Sequence, residues 1–171
     1  KACSGTCAWA YRFAHQQASC GNLIISGGAY GIDGAGHRGA MDGGGRTIVY
    51  LGVPADRIYP KSHRSLFSKI LARDGSLVSE IPPLANAWPS HHARRNRFIA
   101  AQAKALMVVE AGVHSGTLAT ARWAHKTQRK VWVPDSKCGG ERKGIEHLLN
   151  VGEAAIWPEN AFQGAENHEK S

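Results

Sequence analysis

The sequence predicts an α/β doubly wound fold, a mostly parallel sheet with helices on both faces. Three observations carry this. Short apolar runs alternate with longer segments of helical character, which is the sequence mark of repeated strand–helix units. The runs are apolar at every position, Met107-Val108-Val109 most clearly, as a parallel strand covered on both sides requires. Glycine-rich or Ser/Thr-rich turns follow two of these runs, where such a fold places its carboxyl edge. In chain order, Ala8–Ala18 reads as a helix with Trp9, Phe13 and Ala14 apolar. Leu23–Ile25 is a strand, Asp33–Asp42 a helix, and Gly43-Gly44-Gly45 the turn that ends it. Thr47–Leu51 is a strand, Ser62–Arg73 a helix and Leu77–Ser79 a strand. Pro82-Pro83 through Pro89 reads as an extended surface loop. Arg95–Lys104 is a helix, Ala105–Val109 a strand, Ser115–Lys126 a helix, Lys130–Val133 a strand and Gly144–Leu149 a helix, with Ala154–Trp157 as an edge strand. No strand precedes the first helix, although a doubly wound domain places one there. Either the chain is a fragment or that strand comes from elsewhere.

A chain of 171 residues supports one well-buried domain, read here as residues 1–157 with a polar, frayed tail at 158–171. The net charge is +8, and the last fourteen residues carry −2, which leaves +10 on the body. A small body of that charge favours a polyanion. The four cysteines, Cys3, Cys7, Cys20 and Cys138, contain no C-x-x-C pair, so they make no zinc framework and read as reduced thiols of a cytoplasmic protein. No apolar run reaches the length of a membrane span, and no secretory leader is visible. No metal or cofactor is expected.

Three segments have the chemistry of an anion site. The first is Ser26-Gly27-Gly28-Ala29-Tyr30-Gly31-Ile32-Asp33. A strand, a glycine turn and a helix start aim backbone N–H groups at an anion, with the Ser26 hydroxyl beside the exposed amides of Gly27 and Gly28. Asp33 is placed to cap the next helix. His37, one turn on, either adjoins the anion or packs against Asp33. The pattern is neither G-x-G-x-x-G nor the lysine-containing phosphate loop. The second is Arg94-Arg95-Asn96-Arg97, just ahead of a helix, where the dipole opposes cations and a bound anion would offset the cost. Guanidinium forks suit phosphate. The third is Ser115-Gly116-Thr117, a second cradle at a strand's carboxyl end, for which routine capping by Ser115 is the plain alternative. Arg122, Lys126, Arg129 and Lys130 add a basic stripe. Trp88 and Phe98 flank the arginines as candidate base-stacking rings, Phe98 also fitting a core position. Cys138, after Lys137 in a glycine-rich basic loop, is either a lowered-pKa thiol or an ordinary surface one. No set of residues fixes a catalytic nucleophile.

These segments together resemble one family. Ser26–Asp33 with His37-Arg38-Gly39-Ala40, Gly45-Arg46-Thr47, Asp56-Arg57-Ile58-Tyr59-Pro60, Ser79-Glu80-Ile81-Pro82-Pro83, Arg95-Asn96-Arg97-Phe98-Ile99-Ala100, Val108-Val109-Glu110-Ala111 and Ser115-Gly116-Thr117-Leu118 are similar, in order and spacing, to the signature of the DNA-processing protein A (DprA/Smf) family. The resemblance runs from Gly21 to Pro134. It implies an extended Rossmann-like fold that binds single-stranded DNA, forms a homodimer and loads a RecA-type recombinase during DNA uptake or recombination, in a family not known for catalysis. It places Ser26, Gly27, Gly28, Arg95, Asn96, Arg97, Ser115 and Gly116 around a basic DNA pocket. Tyr30 stands where many members have arginine, Asp135 where they tend to have glycine, and the strand ending in Gly-Ser-Arg ahead of the first helix has no counterpart here. A different resemblance, of Glu110 with Ser115-Gly116-Thr117 to the lysine-decarboxylase-like phosphoribohydrolases, implies a nucleotide-binding enzyme that cleaves nucleoside monophosphates. The two separate on whether base is released from a nucleoside monophosphate. A third reading, a module kept only for dimerisation, separates from the first by light scattering with and without oligonucleotide.

Overall fold

The computed structural model describes residues 2–113, 115–135 and 139–158. Helix α1 (Ser4–Ser19) opens the chain, its first turn capped by the Cys3 sulfur, which accepts from the Thr6 N–H. Then follow β1 (Ile24–Ser26), α2 (Ile32–Asp42), β2 (Thr47–Tyr50), a 3-10 turn at Lys61–His63 running into α3 (Arg64–Leu71), and β3 (Ser76–Val78). The second half is α4 (Pro89–Arg94), α5 (Asn96–Gln102), β4 (Ala105–Met107), α6 (Gly116–Lys126), β5 (Lys130–Pro134), α7 (Lys143–Asn150) and β6 (Ala155–Trp157). All pairings are parallel.

The fold is the expected α/β Rossmann-like one, but its strands form two three-stranded sheets, in the orders β1-β2-β3 and β4-β5-β6. Among the described residues no strand pairs with the free edge of β1 or of β4. Ile24, Ile25, Leu106 and Met107 on those edges are only half-buried, unlike the strand-centre residues Val49 and Val133, which are fully buried.

Helices cover both faces of the second sheet. Side chains alternate faces along a strand. Val108, Val131 and Val133 pack with Leu118, Ala121 and Ala124 of α6 and Ile145 and Leu148 of α7. Their neighbours Met107 and Val109 turn the other way, onto Trp9 and Ala10 of α1 and Ala35 of α2. On that side Trp9, Phe13, Trp157 and Trp132 form a chain of ring contacts 5.2–5.4 Å apart. Beside the first sheet, Val49 and Leu51 pack with Leu66, Phe67 and Ile70 of α3.

Helix α1 lies so close along α2 that glycine is required between them. A Cβ on Gly39 would stand 2.2 Å from the Tyr11 carbonyl oxygen, and one on Gly43 2.3 Å from that of His15. Backbone cannot yield as a side chain can, so Gly39→Ala is expected to cost about 2 kcal/mol of stability through forced repacking. A urea titration checks this, and an unchanged midpoint would mean that α1 shifts freely.

Helix α4 was not expected. The sequence places a helix start near Arg95; the structure starts one at Pro89, with Trp88 extended before it and its N–H donated to His91 Nδ1 at 3.2 Å. Proline fits the first helical position because the N–H it lacks would be unpaired there. Arg95 is thus the joint between α4 and α5, and its N–H donates to the His91 carbonyl.

Candidate nucleic-acid interface

The glycine turn leaves β1 at Ser26, a half-buried residue in register with Val49. Gly27 and Gly28 are buried, and Gly28 holds φ +71°, which brings its α-carbon against Val49 and Phe67, where a Cβ would stand 2.6 Å from Val49 Cγ1. Only glycine fits both constraints. Asp33 does not cap α2: the cap position is Gly31, and Asp33 Oδ2 instead accepts from the Ala29 N–H at 3.0 Å. The carboxylate therefore shapes the turn from inside the first turn of the helix. From the other side His63, itself buried, donates Nδ1–H to the Gly28 carbonyl at 3.0 Å.

Arg95 is the centre of the site. It is 8% exposed, and its Nη2 donates to the Gly27 carbonyl at 3.2 Å, while Nε has no partner among the described residues. The guanidinium lies flat against Gly27, whose absent Cβ would be 1.7 Å from Nη1. Burial lowers the Arg95 pKa and the Asp33 carboxylate opposes that shift; a guanidinium stays charged regardless. The next residue, Asn96, reaches the other cradle, its Nδ2 donating to the Gly116 carbonyl at 3.4 Å. One pair of consecutive side chains thus ties the turn after β1 to the start of α6.

A cleft of about 160 Å³ opens over this floor, lined by Gly27, Gly28, Ala29 and Tyr30, by Gly52, Tyr59 and Pro60, and by His92 and Arg95. Sequence reasoning did not place Gly52, Tyr59, Pro60 or His92 at the site, although His92 precedes the arginine cluster and Tyr59-Pro60 stands in the family-like signature. The signal was available: the loop after β2 must end at the same carboxyl edge as the loop after β1. His92 is pressed onto Gly52, where a Cβ would stand 2.5 Å from its Nδ1. Burial, then the charges of Arg95 and His91, lowers the His92 pKa.

The remaining candidates lie elsewhere. Arg97 does not face the cleft: it is paired with Glu80 and lies 4.0 Å over the Phe98 ring. Arg94 is exposed but also approaches Glu80, at 3.6 Å. Phe98 stacks on Tyr50 and belongs with the packing, whereas Trp88 is 62% exposed. His37 is fully buried, its Nδ1 2.7 Å from Thr47 Oγ1. It does not line the cleft described above and makes no hydrogen bond to Asp33; helix α2 turns it inward toward β2. Ser115 begins α6 by backbone geometry, but its Oγ makes no capping bond and is buried without a partner among the described residues. The Gly116 carbonyl also accepts from Thr120 Oγ1, and Thr117 is half-buried.

Ser115 and Thr117 instead line a second, larger cavity of about 720 Å³, together with Glu110, Glu141 and Lys143. Glu110 Oε2 accepts from Thr6 Oγ1 at 3.0 Å. The residues that the resemblance places around one basic pocket thus line two separate cavities: the Gly27 one holds Arg95, and the Ser115 one holds Glu110 and Glu141 with Lys143. Among the described residues there is no metal-binding cluster, and no helix is long and apolar enough to cross a membrane. Lys137 and Cys138 lie outside the described residues.

Known proteins share this sequence pattern and this fold. The family model described as DNA recombination-mediator protein A matches residues 1–166. A putative DNA processing protein DprA of Mycobacterium tuberculosis is 42% identical over 130 residues, covering 75% of this chain and 33% of its own length. Protein Smf of Escherichia coli is 41% identical over 145 residues, covering 82% of this chain and 38% of its own length. The chain thus spans about a third of the length of these curated relatives. Among solved structures, the Streptococcus pneumoniae DprA superposes with a TM-score of 0.81 at 32% identity, over 96% of this chain and 58% of that one. DNA processing protein A from Helicobacter pylori, whose structure was described for its single-stranded DNA binding mode, superposes with a TM-score of 0.84 at 25% identity, over 95% of this chain and 74% of that one. A molybdenum cofactor carrier protein from Chlamydomonas reinhardtii, at 18% identity and a TM-score of 0.60, shares the fold. Fold, motif order and sequence identity converge, and the chain belongs to the DNA recombination-mediator protein A family.

Proposed function

We propose that this chain binds single-stranded DNA as a non-enzymatic recombination mediator of the cytoplasm, acting as a homodimer and delivering the strand to a RecA-type recombinase. The observation that carries the binding is the Arg95 floor: a buried guanidinium that lines a cleft bounded by the backbone of two glycines. A phosphate seated there would accept a charge-assisted bond from the one cationic group already desolvated for it. The cleft falls below the usual volume range for small-molecule sites, roughly 300–1,000 Å³, and suits a phosphate of a passing strand better than a free nucleotide. The dimer and the recombinase partner rest on family membership. The nucleoside-monophosphate-cleaving alternative is not favoured, because its glutamate, Glu110, is held by Thr6 and shares its cavity with a second carboxylate, Glu141.

Fluorescence anisotropy with a labelled oligo-dT tests the proposal. Arg95→Ala is expected to weaken binding about tenfold and to reduce the slope of log affinity against log salt by about 0.7, one phosphate contact on a single strand. Arg97→Ala is expected to change affinity less than about twofold, since its charge is already spent on Glu80. Equal losses in both variants would move the site away from the Gly27 turn.

A further inference from the structure

We infer that the outer face of α6 and the sheet edge below it form a second phosphate track, along which a DNA strand held at the Arg95 cleft continues; this rests on the DNA-binding reading above. The basic stripe of the sequence assembles there. Arg122 and Lys126 stand one turn apart on α6, and Lys104, Arg129 and Lys130 follow where β4 and β5 begin, all five exposed. Ala105 is in register with Lys130, so Lys104 and Arg129 enter neighbouring strands side by side. No Asp or Glu occurs between Ala111 and Pro134, and among the described residues none of the five cations is in an ion pair. The helix dipole accounts for Lys126, in the last turn of α6, but not for Arg122 in mid-helix or for the cations outside it. Like charges gathered on one face repel, and a polyanion relieves that cost.

The pairing of α5 with α6 sets the course of the track. The two helices start together, where Asn96 reaches the Gly116 carbonyl, and end together, where Arg129 Nη2 donates to the Ala101 carbonyl at 3.2 Å. Between these points Ala100 packs with Leu118, Ala121 and Ala124. Arg95 directly precedes Asn96, so the upper end of α6 adjoins the cleft and its lower end carries the cations. From Gly116 to Lys126 the helix descends about 15 Å. That is the length of roughly four nucleotides at about 3.4 Å per charge. Trp123 lies within the row, 40% exposed, with Lys126 Nζ 5.1 Å over its ring, so aromatic surface and an ammonium are offered together. An acidic protein would answer the same charge. Only a strand already held at Arg95 is brought to this face by the fold, and that favours DNA.

Anisotropy with the full chain and labelled oligo-dT of about four and about twelve nucleotides tests this, the short probe occupying the cleft and the long one reaching past it. Arg122→Gln combined with Lys126→Gln is expected to weaken the long probe about fivefold and to lower its salt slope by about 1.4, two contacts on a single strand. The same variant should bind the short probe within about twofold of wild type, because charges that far from the cleft lie beyond a Debye length of about 8 Å. Arg12→Gln combined with Lys69→Gln removes equal charge from exposed positions on α1 and α3, and should leave both probes at wild-type affinity. A thermal melt verifies that each variant folds. Unchanged binding of the long probe by the α6 variant overturns the inference and leaves that face to solvent or to an acidic protein. Equal weakening of the two probes overturns it as well, as does equal weakening of the long probe by the control variant. Failure of wild type to bind even the long probe overturns the DNA-binding reading itself, and this inference with it.

Discussion

Gly27→Ala is expected to lower affinity for single-stranded DNA by at least about thirtyfold, roughly 2 kcal/mol, in a protein that still folds. The added methyl would stand 1.7–2.0 Å from the guanidinium atoms of Arg95 and meets no other group as closely. The obstacle is the far end of a flexible side chain, so Arg95 yields and the backbone does not. Gly27 does not hold a positive φ, so the substitution adds no backbone strain. The loss should exceed that of Arg95→Ala, because the variant both evicts the guanidinium and fills the floor that a phosphate would occupy. Anisotropy gives the affinity and a thermal melt gives the folded state. Wild-type binding by a folded Gly27→Ala protein would sink the assignment of this cleft. Gly28→Ala is a poorer probe, since it confronts φ +71°, Val49 and Phe67 together and would confuse folding with binding.

Acid destabilisation is the second large effect. Thr47 Oγ1 gives its proton to the Ile24 carbonyl at 2.8 Å, so the 2.7 Å contact with His37 is a bond donated by His37 Nδ1–H. The neutral imidazole then presents an unprotonated Nε2, which has no partner among the described residues. Protonating it would bury a charge. Burial is the main cause that holds the His37 pKa down to about 4; the Asp33 carboxylate opposes this, and His63, Arg95 and Arg38 reinforce it. In the unfolded chain the same imidazole titrates near 6.5. Between the two values the unfolded state binds the extra proton, so stability is full above about pH 6.5 and falls as pH drops toward 4. The total is on the order of 3 kcal/mol, a large share of a small domain's stability. Urea titrations from pH 7 to pH 4 measure it. His37→Asn keeps a donor toward Thr47 but cannot titrate, and should flatten the pH dependence while lowering the plateau. An unchanged slope in that variant would assign the acid sensitivity to other groups.

Much of the fold was legible because the apolar runs are short, continuous and regularly spaced. Thr47–Leu51 and Lys130–Val133 are β-branched and bounded by glycine or charge, and both became strands. Helix α4 was hidden because Pro89 read as the end of a loop, when it is the first residue of a helix. The candidate site was half legible. Strand, glycines and helix start announce the turn at Gly27 and Gly28 locally. Arg95 and Arg97, two residues apart on a helix, fall on different faces, but spacing does not say which face meets the glycine turn; Arg95 is buried under Gly27 and Arg97 is paired with Glu80, which the loop after β3 places there. His37 shows the same limit, since a helical period gives its spacing from Asp33 but not which face the sheet will cover.

By itself the sequence determined the strand–helix alternation, the glycine turn after β1 and the family, since each depends on residues near one another in the chain or on their order. The tertiary structure alone decided which arginine lines the cleft at Gly27, that the Ser115 turn shares its cavity with Glu110 and Glu141, and that Tyr59 and His92 stand beside Gly27. Those facts depend on which loops meet at one edge of the sheet, and contacts between residues distant in the chain are set by packing, which no local pattern encodes.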